Sequence, residues 1–86
     1  MTPDRQRLAS VTTDSGWSVT IDSVNTADRL FYDAVLTSPD GKTVYSLSLW
    51  PSLDAVWECF EGYLRRDGLR ATAVALRASA EAEMRL

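Results

Sequence analysis

The sequence predicts an α+β domain: a three-stranded antiparallel β-meander with one or two α-helices packed on one face. Three observations lead there. Trp17, Val19 and Ile21 alternate with Ser18, Thr20 and Asp22, the period-two pattern of a half-buried strand. Ser38-Pro39-Asp40-Gly41 separates two more strand-like runs, Leu30 to Thr37 and Thr43 to Leu49; its Pro presets φ and its Gly accepts a left-handed conformation. From Leu53 the period becomes helical, with Leu53, Val56, Trp57, Phe60 and Leu64 forming one apolar stripe.

The 86 residues make one domain. Residues 1–15 form an N-terminal segment, in which Thr2-Pro3 signals a short helix over Asp4–Ala9, because Pro at the first helical position loses no needed N–H. Residues 16–50 hold the meander, with SVNTADR as the loop between its first two strands. Trp50-Pro51 ends the sheet and Ser52 caps the main helix, 52–67, with Asp54 in the first turn where the helix dipole favours a carboxylate. Asp54, Glu58, Glu61 and Arg65 line its wet side, Glu61 and Arg65 at ion-pairing distance along the helix. Asp67-Gly68 breaks it, and an Ala-rich helix follows over 69–85, with Leu69, Ala73, Leu76, Ala80 and Met84 on one side.

Hairpin register decides which sheet face is core. A four-residue turn pairs Leu36 with Thr43, Ala34 with Tyr45 and Tyr32 with Leu47 on the core face, and leaves Phe31, Asp33 and Val35 on the other. A bulged three-residue turn instead moves Asp33 opposite Leu47. The first register is preferred because it keeps the carboxylate off the core.

Most enzyme chemistry lacks its parts. There is no histidine, so a Ser-His-Asp or Cys-His nucleophile and the common transition-metal ligand sets cannot be assembled. The four glycines are scattered rather than gathered in a phosphate-cradling loop. The lone Cys59 follows Glu58, not a cation, and reads as a small core residue. No catalytic residue, metal site or cofactor is therefore expected. One cysteine and the lack of an apolar leader or spanning stretch predict a cytoplasmic protein without membrane contact.

Net charge is −3, unevenly placed. Residues 8–64 hold eight acids against two bases, whereas 65–86 hold five arginines against three acids. Such a field argues against direct nucleic-acid binding and favours a protein partner with a basic surface. The order helix, three strands, helix over about residues 3–66 resembles the layout of double-stranded RNA-binding domains. That family grips phosphates with lysines at the start of its last helix, where PSLDAVWEC here carries Asp54 and Glu58. The resemblance thus implies the fold layout but not RNA binding.

The expected function is that of a small acidic, non-enzymatic protein-binding module that docks on a larger partner and inhibits or regulates it. Phage anti-CRISPR inhibitors, which occupy basic nucleic-acid-handling surfaces, are similar in kind: small, single-domain and often acidic. The alternative is a self-associating structural or scaffold subunit, a homodimer included. The candidate partner-binding residues are Phe31, Asp33, Val35 and Val44 on the second sheet face, Trp50 at the strand–helix junction, and Asp54 and Glu58 on the helix. The competing expectation is that the 69–85 helix folds over that second face and buries it.

Overall fold

In the computed structural model, which describes residues 4–85, the chain opens with a strand and not a helix. Strand β1 spans Asp4–Thr12, where the sequence predicted a helix over Asp4–Ala9. Thr2 and Pro3, which signalled that helix, lie outside the described residues. A six-residue helix closes few backbone hydrogen bonds and pays the full nucleation penalty; pairing with the next strand satisfies the same segment along its length.

β1 was hidden because its alternation changes phase. Arg5, Arg7, Ala9 and Val11 are all odd-numbered, so a regular strand would put two arginines and two core residues on one face. A β-bulge resolves this. Arg7 pairs with Asp22 and Ala9 with Ile21, which leaves Leu8 as the extra residue. Beyond the bulge Ala9 is fully buried and Val11 packs on the core; before it, Arg5 and Arg7 project from the opposite face.

The remaining elements follow in the predicted order: β2 (Ser18–Asn25), β3 (Leu30–Thr37), β4 (Thr43–Trp50), α1 (Leu53–Arg66) and α2 (Arg70–Met84). The sheet is an antiparallel meander of four strands, ordered β1-β2-β3-β4. It has one strand more than predicted, and the helix–three strands–helix layout of RNA-binding domains is lost with it.

The preferred hairpin register is also corrected. The Ser38 N–H donates to the Lys42 carbonyl, which closes a three-residue loop with Gly41 at φ 86°. Thr37 then pairs with Thr43, Leu36 with Tyr45, Ala34 with Leu47 and Tyr32 with Trp50. The slip from the expected pairs is two residues through Leu36 and Ala34. An even slip preserves faces. Ala34, Leu36, Tyr45 and Leu47 therefore still look toward the helices and Asp33 still looks away. Leu49, beyond the bulge opposite Asp33, is 51% exposed.

Both helices lie on one face. Val56, Trp57, Phe60 and Leu64 of α1 and Ala73, Leu76 and Ala80 of α2 form one buried cluster with Ala9, Val19, Ile21, Ala34, Leu36 and Leu47. Phe60 is the largest fully buried side chain, with Trp57 edge-on to it at 6.2 Å and the Tyr45 ring at 6.4 Å. The Ser52 hydroxyl accepts from the Ala55 N–H at 3.1 Å, capping α1 as expected. Gly68 takes φ 76°, and the Leu69 N–H reaches back to the Leu64 carbonyl at 2.7 Å to end it. α2 then folds back beside α1 and over β1. Glu61 pairs with Arg77 of α2 at 2.8 Å, not with Arg65 as expected. Arg77 sits in the helix–helix seam, where Asp54 and Glu81 also approach it, at 3.5 and 3.8 Å.

Phe60→Ala removes the centre of this cluster and is expected to destabilise the fold by about 3–5 kcal/mol, most of the stability of a small domain. Thermal denaturation checks it: an unchanged midpoint contradicts the assigned core.

Candidate functional site

With both helices on one side, the other sheet face is left uncovered by secondary structure. The competing expectation, that α2 covers it, does not hold. The face is built from alternate residues of each strand: Arg5 and Arg7 on β1, Asp22 and Val24 on β2, Phe31, Asp33 and Val35 on β3, and Ser46 and Ser48 on β4.

Its centre is charged and internally balanced. Asp22 and Asp33 are directly opposite each other on β2 and β3, a like-charge cross-strand pair that by itself destabilises a sheet. Two arginines from β1 offset it. One Arg5 nitrogen lies 2.6 Å from Asp33 Oδ2 and the other 3.4 Å from Asp22 Oδ2, while Arg7 Nε donates to Asp22 Oδ1. Two bases thus meet two acids, and this face contributes nothing to the net charge of −3.

Asp33 has a second task. Tyr32 pairs with Trp50 and Ala34 with Leu47, so Asp33 alone faces the two residues Ser48 and Leu49. This is a bulge in β4, and Leu49 adopts φ 57° there, a conformation that leucine adopts at a cost. The bulge frees the Leu49 N–H from the regular ladder, and Asp33 Oδ1 accepts it at 2.7 Å. Partial burial disfavours the charged carboxylate. The Leu49 N–H, Arg5 and the Ser48 hydroxyl together outweigh that penalty and hold its pKa below the ordinary carboxylate value.

Apolar side chains flank the charged centre. Val24 is 1% exposed although it stands outside the main core cluster; its cross-strand neighbours are Phe31 and Arg5. Phe31 and Val35 are half-buried.

The seven predicted site residues do not form one surface. Phe31, Asp33 and Val35 share the uncovered face, whereas Val44, expected with them, is the extra residue of a second bulge opposite Leu36 and Thr37 and packs against the core. Trp50 is paired with Tyr32 and packs against the core on the helix side, bordering a shallow groove with Ala55, Glu58 and Cys59. Asp54 and Glu58 are exposed on α1, across the sheet from Phe31. Arg5, Arg7 and Asp22 were missed. The alternation of charge in Asp4-Arg5-Gln6-Arg7 was the available signal, obscured by the reading of that segment as a helix.

Among the described residues no helix is long and apolar enough to cross a membrane. Comparison of the chain with known protein families, with curated proteins and with solved structures finds no match.

Two outcomes are expected. Asp33→Ala strands the Leu49 N–H and unpairs Arg5, which should cost about 1–3 kcal/mol. Because the folded pKa of Asp33 is depressed, its contribution is fully present above the unfolded value and fades as pH falls through the folded one, below about pH 4. Denaturant titrations of wild type and Asp33→Ala should therefore converge in acid; a constant difference across pH refutes the role. The Cys59 thiol is half-buried, and burial, offset only partly by Arg66, raises its pKa. A thiol reagent should label it slowly in the native protein and fast after unfolding.

Proposed function

We propose that this protein is a non-enzymatic protein-binding module that docks through the uncovered face of its sheet on a larger partner, and inhibits or regulates it. One observation carries the reading: both helices pack on one side of the sheet, while the opposite side holds Phe31 and Val35 around a self-neutralised Arg5–Asp33–Asp22–Arg7 centre. Charges already paired within the molecule lose less on leaving water than isolated ones. An apolar border with satisfied polar groups is the composition that a specific interface needs.

The charge bias speaks for a basic partner surface, with one refinement. Because the face is neutral at its centre, the excess acid lies elsewhere. Asp14 and Asp40 occupy the β1–β2 and β3–β4 turns at one end of the sheet. These turns approach each other closely: a Cβ at Gly16 would stand 3.0 Å from that of Pro39. Asp54 and Glu58, on the helix layer, steer at a distance rather than touch. Inhibition of a nucleic-acid-handling protein, by occupying its basic groove, is one form this function takes.

The test compares affinity capture from host lysate by wild type and by a Val35→Ser variant, each at low and raised salt. Both proteins should have stabilities within about 1 kcal/mol of each other, since the substituted side chain is only half-buried. A partner held by wild type, lost by the variant and captured more slowly as salt rises supports the reading. Equal capture by both proteins overturns the face assignment, and capture indifferent to salt overturns the basic partner.

A further inference from the structure

The two edges of the sheet are treated unequally. At the β1 edge, Arg5 and Arg7 stand on the strand and the Leu8 bulge interrupts it. Glu83 of α2 accepts the outward Ser10 N–H at 2.9 Å. These are devices that keep one sheet from adding to another. β4, the opposite edge, has bulges of its own at Val44 and at Ser48/Leu49, but lacks such charges on the strand. From Thr43 to Trp50 it carries no charge and no proline, with Lys42 and Pro51 standing just outside. Among the described residues, the one side chain that bonds its backbone is Asp33, at the Leu49 bulge near its end.

We propose that the β4 edge binds a second copy of this chain, β4 against β4 in antiparallel register about a two-fold axis near Ser46, giving one continuous eight-stranded sheet. The inference is independent of the uncovered face, since it uses the edge and not the surface of the sheet.

Charge along this edge is self-complementary. α1 runs antiparallel to β4: Trp50 lies beside Ala55 and Glu58, while Tyr45 meets Tyr63 at 5.5 Å. The Thr43 end of the edge therefore carries Lys42 and Arg66, and the Trp50 end carries Glu58. A two-fold at Ser46 sets Lys42 opposite the second copy's Trp50, so that each basic end faces an acidic one. The Asp40 turns of the two copies are carried to opposite ends and do not repel.

The size suffices. A strand of eight residues is about 26 Å long. With the sheet and helix layers together about 20 Å deep, each copy offers on the order of 500 Å², near the threshold of about 1,000 Å² in total for a specific interface. Assembly also stops at two copies. An isologous contact closes on itself, and the guarded β1 edges at the ends of the eight-stranded sheet resist further addition.

The test is sedimentation velocity over a wide concentration range in reducing buffer, with wild type and Ser46→Asp. Ser46 is exposed, so the variant should keep its far-UV circular dichroism. Its two aspartates would meet at the axis, so a wild-type dimer should become a monomer. The second arm is disulfide trapping in a Cys59→Ser background. Ser46→Cys should cross-link to a covalent dimer on mild oxidation, whereas Thr20→Cys, on the interior strand β2, should not. A wild type that stays monomeric, a dimer that survives Ser46→Asp, or equal cross-linking of both cysteines overturns the proposal; a monomer that captures another protein's strand at this edge does so as well.

Discussion

The Asp33 carboxylate ties together three of the four strands. From β3 it accepts the Leu49 N–H of β4 and pairs with Arg5 of β1, reaching across β2, whose Asp22 the same arginine also holds. Each partner would be in difficulty without it. The β4 bulge would leave a donor without its ladder acceptor, at a cost of about 1–3 kcal/mol where water is excluded. Arg5 would hang over a sheet face with one carboxylate fewer. The bulge in turn sets the last turn of the meander: past Leu49 the chain rejoins Tyr32 through Trp50, then leaves at Pro51 for the cap at Ser52.

A second constraint acts at β1. Its bulge at Leu8 divides the strand into a polar half, whose arginines supply counter-charge on the uncovered face, and an apolar half, whose Ala9 and Val11 extend the core beneath α2. The two bulges complement each other. One delivers cations to the face and the other presents the carboxylate that receives them. The face is therefore a polar arrangement satisfied from within, bordered by half-buried Phe31 and Val35, and not a bare hydrophobic patch. Such a surface is soluble alone and loses little on docking, which is the reason for preferring a binding role to simple exposure.

Helix placement follows from side-chain size. The α1 stripe is bulky, with Trp57, Phe60 and Leu64, and fills the space above β3 and β4. α2 buries two alanines and one leucine, so it can lie close to both α1 and β1. Arg77 in the seam meets three carboxylates. That seam offsets part of the negative charge that the raw sequence displays, while Asp54 itself stays exposed with Glu58 and the turn residues Asp14 and Asp40.

Much of this fold was legible along the chain because local chemistry determines it. The strand alternation in β2, the Pro-Asp-Gly turn, the Ser52 cap, the α1 stripe and the Gly68 break each depend on a few neighbouring residues, and each is found where expected. The faces of β3 and of Tyr45 to Leu47 in β4 were legible too, although the pairing there was off by two residues, because an even slip conserves the side to which a residue points. What tertiary structure alone decided depends on partners distant in sequence. β1 lacked a regular period because its bulge reverses the phase at Leu8, and its strand conformation rests on pairing with β2. Arg5 and Arg7 joined Asp22 and Asp33 only through that pairing, so the charged centre of the candidate site could not be read from any one segment. The same holds for Trp50, Asp54 and Glu58, which lie close to the hairpin in sequence but on the other side of the sheet in space. A sheet one residue thick separates neighbours in the chain as completely as it joins strangers, and the sequence records only the first kind of distance.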